Sequence, residues 1–518
     1  MSRHRAAVGL ISVALVTGSA AACGGSGSGS GGGSDDTGTL TVIASAAPAT
    51  LDPVKANVGS DNWFVNLTYD TLLRLGPDGD VQPGLAVRWG YTGKDNRTFE
   101  LTLREGVRFA DGTPLTARAV ADSLNYARKN GLNAATWSSA IETVTATGPL
   151  TVRIHCSTPH PVLPLLLGQI QLVGSVISPK GLADPSKMGA GSFGAGPYVL
   201  DSARSASGDH YTYTPNPNYW DKSRIHWKKV VIKVVTNPSS ALDAVRTGQA
   251  DLTALVANQA DTAKSSGLSV INAPIAFTGV NLADRDGTLA RPLADVRVRQ
   301  ALNHAVDRQT ITQAIFKEYG RPTAQLSLPG LDGYVPDYDN RYPYDPAKAK
   351  RLLAEAGYPD GFTLRAEVQG VNGFDLLPQA VFQQWKQIGV TVDVVTDTTV
   401  GAFLSNAMSR SFPVLGFAYG GLPTYLTSLD WMLPHASPFN PFASKDPRLV
   451  RMLETAAAAP QARQPGLYRE AMRHVVDQAW FVAVSRQDQI FAYDGKKLDG
   501  VTVASGYLPD LAWEVRPR

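Results

Sequence analysis

Cysteine is nearly missing from these 518 residues. Only Cys23 and Cys156 occur, and their settings differ so much that no disulfide between them is expected. An excess of charge is missing too. Of 48 basic residues, Arg3 and Arg5 stand at the extreme N-terminus, and without them 46 face 45 acidic ones. A nucleic-acid binder needs a basic stripe to displace counterions from phosphates, and no run of Lys and Arg supplies one, so nucleic acid is set aside as a partner. Beyond Cys23 nothing approaches ~18 uninterrupted apolar residues, so no transmembrane helix is expected there. Catalytic signatures are absent: no His-Glu-x-x-His, no Gly-x-Ser-x-Gly and no Gly-x-x-x-x-Gly-Lys. His155 and His160 stand five apart across a proline with no third ligand nearby, and the rest of the eight histidines are scattered. No metal and no cofactor is expected. A secreted hydrolase is the rival class, without a motif in its favour, because spacing alone cannot place two carboxylates about a scissile bond.

What is present begins with a leader. Arg3 and Arg5 precede an apolar run from Ala6 through Val16, then small residues from Gly18 to Ala22, which reads as a secretory signal over residues 1–22. The small residues directly before Cys23 resemble the bacterial lipobox, with Ala20 where leucine is commonest. That resemblance implies acylation of Cys23, which becomes the new N-terminus; the alternative is an ordinary signal peptide cut near Ala22. Residues 23–38 follow as a tether, almost all Gly and Ser from Gly24 to Gly33. Acyl chains each contribute ~0.8 kcal/mol per buried methylene. The expected location is extracytoplasmic, lipid-anchored at the outer face of the cytoplasmic membrane.

The rest is folded α/β sequence. Apolar residues at 43% and charged residues at 18% give a globular balance, and the length suffices for more than one core. Leu40 to Ala44 reads as a strand. Ser60 is placed as the cap of a helix carrying Phe64, Leu67, Leu72 and Leu73. Phe99, Leu101 and Leu103 alternate with polar residues as a half-buried strand, and a helix starting at Thr116 carries Val120, Leu124 and Ala127 on one face. Cys156 lies in a strand-like stretch, where a buried thiol packs rather than reacts. Prolines and glycines between Pro159 and Pro197 predict irregular structure, with strands around Val199 and at Val230, Ile232 and Val234. Asp295 precedes Val298, Ala301, Leu302, Ala305 and Val306 at helical spacing. Asp345, Pro346 and Gly357 bracket another helix as cap, first residue and terminator. Phe362, Leu364, Ala366 and Val368 alternate as a strand, a helix carries Val381, Trp385 and Ile388, and Val390, Val392 and Val394 form one more strand.

Six ordered motifs carry a family resemblance: Leu51-Asp52-Pro53; Tyr69-Asp70-Thr71-Leu72-Leu73; Asp111-Gly112-Thr113-Pro114-Leu115-Thr116; Gly194-Ala195-Gly196-Pro197-Tyr198; Asp295-Val296-Arg297-Val298-Arg299-Gln300-Ala301-Leu302; and Asp345-Pro346-Ala347-Lys348-Ala349 through Gly357-Tyr358. From about Thr39 to its C-terminus the chain resembles the large peptide- and nickel-type extracellular solute-binding proteins of ABC importers. The resemblance implies a two-lobed periplasmic-binding-protein-like α/β fold of type II. Lobe I would be discontinuous, over 39–75, 198–280 and 482–518, with a subdomain inserted at 76–197, and lobe II would span 281–481. It also implies a monomer that closes over a small organic solute and presents it to the transmembrane subunits of a permease driven by cytoplasmic ATPases.

In the peptide-binding branch of that family a loop shaped like Gly-Trp-x-Ala-Asp-Tyr gives an aspartate to the peptide ammonium group. The matching stretch here is Gly416-Phe417-Ala418-Tyr419-Gly420-Gly421-Leu422-Pro423, with no carboxylate until Asp430. A buried ammonium without a partner charge costs several kcal/mol, which disfavours standard peptides. Aromatic and small residues replace the acid: Phe417, Tyr419, Tyr425 and Trp431, with Gly420 and Gly421 leaving room, suit stacking and hydroxyl hydrogen bonds. Packing of the lobe is the alternative for Phe417 and Trp431. Asn57, Trp137 and Asn281 are added because they lie near elements bordering the family's cleft, and Asn440 as a residue that could equally cap a turn. Peptides, oligosaccharides, aromatic-containing or other small organic solutes and metal chelates stay open as ligands, as do haem and a sensing role.

Overall fold

The computed structural model describes residues 38–131, 138–370, 374–435, 437–503 and 508–518. The leader, Cys23, the tether up to residue 37 and Trp137 lie outside the described residues.

In chain order the strands are β1 (Thr39–Ala44), the hairpin β2 (Leu73–Leu75) and β3 (Val81–Pro83), then β4 (Ala86–Thr92), β5 (Thr98–Leu103), β6 (Ile141–Ala146) and β7 (Thr151–Cys156). There follow β8 (Tyr198–Leu200), β9 (His210–Pro215), β10 (Lys229–Val234), β11 (Leu252–Leu255) and the long β12 (Ser269–Leu282). The second half supplies β13 (Gly320–Pro322), β14 (Phe362–Gln369), β15 (Val390–Asp397), β16 (Val414–Gly420) and β17 (Phe481–Tyr493). Eleven strands make one mixed sheet in the order β15-β14-β16-β12-β17-β11-β1-β10-β9-β8, with β13 on β17, while β4-β5-β7-β6 form a separate sheet of four. β12 and β17 pair antiparallel along their lengths and join the two ends of the large sheet, β12 through β16 and β17 through β11. Their register shifts between Pro274 and Ala276 and again between Thr278 and Gly279. Bulges of this kind bend a strand. At Gly279 a Cβ would stand 2.3 Å from the Val482 carbonyl oxygen, so only glycine lets the strands approach there.

The end signals read from sequence reappear as hydrogen bonds. Thr116 Oγ1 accepts from the Ala119 N–H at the head of the helix Ala117–Asn130, Asp295 caps Val296–His304, and Asp345 Oδ1 accepts from Lys348 N–H ahead of Pro346–Glu355. Gly357 takes φ 91°, the left-handed conformation that ends a helix at little cost for glycine. Two expectations are corrected. The helix placed after Ser60 covers only Asn62–Asn66 with Asp61 at its start, because Leu72 and Leu73 are pulled into extended backbone by hydrogen bonds to Gly174 O and Leu167 O. The helix after Asp295 stops at His304 because Asp307 caps a new one, Arg308–Phe316; Ala305 and Val306 are nonetheless buried.

Several cores result, as the length allows. One lies under β14 and β16, with Val381, Trp385 and Leu302; another under β1 and β10, with Phe64, Trp227 and Trp513. A third runs from the four-stranded sheet into the helices Thr424–Trp431, Pro447–Ala458 and Gln464–Asp477. Cys156 is fully buried on β7, where burial pushes its thiol up to about 12, so it stays an unreactive thiol. Among the described residues no helix is long and apolar enough to cross a membrane, and no group of three His, Cys, Asp or Glu side chains could hold a metal.

Candidate functional site

β16 carries the loop singled out from sequence. It runs parallel to β14 and antiparallel to β12, so Phe417 faces Gly279 and Tyr419 faces Phe277 across the register. The strand ends at Gly420, which is exposed and has no atom closer than 4.0 Å to where a Cβ would stand. Gly421 differs: its N–H donates to Ile275 O at 2.7 Å, and a Cβ there would fall 2.1 Å from the end of Leu328. One glycine therefore leaves open space and the other permits close packing.

The helix Thr424–Trp431 comes next and is fixed at its start by Asp332, whose Oδ1 accepts from the Thr424 N–H at 2.9 Å and hydroxyl at 2.7 Å. One turn of it presents Asp430 and Trp431 to β16. Tyr419 donates its hydroxyl to Asp430 Oδ2 at 2.6 Å. Burial and then the Asp430 carboxylate push the Tyr419 phenol well above its ordinary range, so it remains a proton donor in that bond. Trp431 is the centre of an aromatic cluster: its ring lies 4.9 Å from those of Phe417 and Tyr419, stacks on Phe439 at 4.5 Å and meets Phe481 at 5.4 Å. Phe277 closes it at 5.8 Å from Tyr419. Phe417 is 3% exposed and Trp431 0%, so both pack the core, whereas Tyr419 is partly exposed.

The other residues expected at the site lie around this cluster or farther off, Asn281 beside it with its side-chain amide donating to Phe439 O at 2.8 Å. Tyr425 is buried and donates its hydroxyl to Pro159 O at 3.0 Å, a bond to the loop after β7. Asn281 and Asn440, both fully buried, are brought together by Arg285: its Nη2 donates to Asn281 Oδ1 at 2.7 Å and its Nη1 to Asn440 Oδ1 at 3.1 Å. Asn440 Oδ1 also accepts from Ser444 N–H, a turn cap. Asn57 is exposed in the loop after β1, where its N–H donates to Asp61 Oδ2. Phe277, Phe439, Phe481 and Arg285 complete these assemblies without having been singled out. Only the 11-residue offset from Tyr419 hinted at Asp430, since nothing in the sequence says which helical turn meets which strand.

Among known proteins, residues 80–436 match the family model described as bacterial extracellular solute-binding proteins, family 5 Middle. The glutathione-binding protein GsiB of Salmonella typhimurium is 30% identical over 352 residues, a stretch that spans 66% of this chain and 66% of that relative's length. Among solved structures, HbpA2 from Haemophilus parasuis superposes with a TM-score of 0.79 at 20% identity, over 93% of this chain and 100% of that one. MppA, a periplasmic murein tripeptide binding protein in an unliganded open form, gives 0.75 at 20% identity, over 93% and 98%. The two-lobed type II α/β fold expected from sequence is the fold these structures share.

Proposed function

Because the chain belongs to the bacterial extracellular solute-binding proteins of family 5, we propose that it captures a small organic solute between its lobes and hands it to an ATP-driven import permease. The lobes would be those expected from sequence, 39–75 with 198–280 and 482–518 against 281–481, and residues 76–197 would ride as the insertion. Closure would flex β12 and β17, the long pair that joins both ends of the sheet and is bent by two register shifts. Acylation of Cys23 would hold the protein at the membrane; metabolic incorporation of a fatty-acid probe reads that anchor.

The observation that carries the ligand reading is the end of β16. Tyr419 is partly exposed, Gly420 opens onto free space, and the loop itself offers no carboxylate. This suits a neutral or aromatic-containing solute that stacks and hydrogen-bonds. A second reading has one observation behind it: Asp430, held by the Tyr419 hydroxyl, brings a carboxylate next to the loop from the following helix. An amine-bearing solute or short peptide would then be served after all, in keeping with the relatives named for glutathione and a murein tripeptide.

A thermal-shift screen against di- to pentapeptides, oligosaccharides and aromatic acids separates the two, since a ligand at 100 times its Kd stabilises by about 2.7 kcal/mol. Non-peptide solutes raising the melting temperature, with the response lost in Tyr419→Ala, support the first reading. Peptides doing so, with the response lost in Asp430→Asn, support the second. Turnover of any compound sinks both.

A further inference from the structure

Beside the apolar core that it shares with the helices Thr424–Trp431, Pro447–Ala458 and Gln464–Asp477, the four-stranded sheet meets the second half of the chain along a small polar edge. Asn96, in the β4–β5 turn, is 7% exposed and takes φ 55°, a left-handed conformation that asparagine tolerates better than most residues. Its side-chain amide donates to Ala457 O at 2.8 Å and to Ala459 O at 2.9 Å. Those are carbonyls of the C-terminal turn of the helix Pro447–Ala458, at the partly negative end of its dipole, where the last four carbonyls have no partner within the helix. Asn96 is thus a helix cap delivered from about 360 residues away in sequence. The same edge holds its donor in place: His160 N–H donates to Asn96 O at 3.0 Å, and the Tyr91 hydroxyl to His160 O. Beside it Tyr425 donates to Pro159 O at 3.0 Å, and its ring lies 5.2 Å from that of His160.

None of these groups belongs to the loop at the end of β16, yet together they join the two parts of the fold that an opening motion would separate. MppA, which shares the fold, has been seen in an unliganded open form. We propose that Asn96, aided by the Tyr425 hydroxyl, is a closure latch that sets how far the closed form is favoured whatever solute is bound. In an open form the amide and the helix-end carbonyls would exchange each other for water. The latch therefore contributes the modest difference between protein and solvent hydrogen bonds, enough to bias a balanced equilibrium about tenfold without locking it. Such a device acts on affinity for every solute alike and leaves selectivity to the loop.

The inference rests on the reading that the lobes open and close, but its test needs no solute, so a failed ligand screen and a failed latch remain separate results. Spin labels at the exposed positions Arg88→Cys and Glu454→Cys, in the full chain with Cys23→Ser and the buried Cys156 retained, report the distance across the edge by pulsed electron paramagnetic resonance. Asn96→Gly keeps the left-handed backbone and deletes the amide. It is expected to raise the ratio of long to short distances about tenfold. Tyr425→Phe keeps the ring and deletes one donor, with an expected shift of about threefold. Wild-type distance distributions in both variants, with circular dichroism showing them folded, overturn the latch. Should Asn96→Gly unfold the four-stranded sheet, Tyr425→Phe decides alone: a shift toward long distances supports the latch and an unchanged distribution overturns it.

Discussion

Two buried arginines show how differently two regions of the fold handle charge. In the first, Arg74 is bonded to Asp70 through Nη1 at 3.3 Å and to Asp510 through Nη2, and its guanidinium lies 3.9 Å over the Trp513 ring. Asp70, fully buried, also accepts from the Tyr219 hydroxyl at 3.2 Å and from Trp220 Nε1 at 2.9 Å. The cluster ties the turn before β2 to the segment after β9 and to the C-terminal segment. In the second half Arg285 has no ion-pair partner among the described residues. Two asparagine oxygens and the faces of Trp480 and Phe481, at 4.4 and 4.9 Å, take the place of a carboxylate, and burial lowers its pKa to about 9. Arg299 and Arg308 are likewise held by neutral acceptors, the backbone carbonyls of Leu293 and Gln478 and of Ala483 and Thr323. Even an acid is left without a counter-charge there. Glu367 on β14 is fully buried with no basic partner among the described residues, and burial first, then the Asp397 side chain beside it, pushes its carboxyl up to about 9 against a smaller opposing hydrogen bond from Asn406. The lesson is that a paired charge fails badly when half of it is removed, while an unpaired one tolerates replacement.

The comparison is broken most directly at Arg74. Arg74→Met strands Asp70 in a dry site, and a loss of about 3–5 kcal/mol is expected in urea unfolding; a loss below about 1 kcal/mol would show that the ion network is not the staple. Arg285→Met leaves two asparagines short of one donor each but strands no charge, so about 1–2 kcal/mol is expected by the same measurement. A loss as large as that of Arg74→Met would erase the distinction. Glu367→Gln sharpens it through pH. The wild-type carboxyl ionises near 4.5 in the unfolded chain and only at about 9 in the folded one, so its contribution is intact below pH 4.5 and is lost as pH rises toward 9. The variant should gain at least ~1 kcal/mol at about pH 8 and nothing at about pH 4, with a flatter stability profile between; a gain that does not depend on pH would rule out the titration.

Glu367 also marks where sequence periodicity misleads. Leu364, Ala366 and Val368 alternate with polar residues, which reads as one buried face and one wet face. The buried face holds, and on the other Thr363 and Arg365 stay exposed, but near the end of the strand, where Val400–Met408 packs on β14, Glu367 is sealed in as well. Conversely Val394 continues the alternation of Val390 and Val392 yet is 40% exposed, on β15 at the edge of the sheet. The site was legible to the same degree. Glycines, tyrosine and tryptophan marked the loop, but two buried tryptophan and phenylalanine side chains cannot be told from cleft residues by spacing, and Asn281 and Asn440 gave no sign that they share one guanidinium.

The sequence by itself determined what is local or repeated along the chain: helix caps at Thr116, Asp295 and Asp345, the β-alternation of each strand, and the ordered motifs that mark the family. These depend on contacts within a few residues, which the chain carries wherever it goes. Only the tertiary structure decided that Asp430 meets Tyr419, that Arg285 joins two asparagines more than 150 residues apart, and that Asn96 caps a helix about 360 residues downstream. Such partners are chosen by which surfaces are left to bury once the elements exist, and that choice belongs to packing rather than to any short stretch of chain.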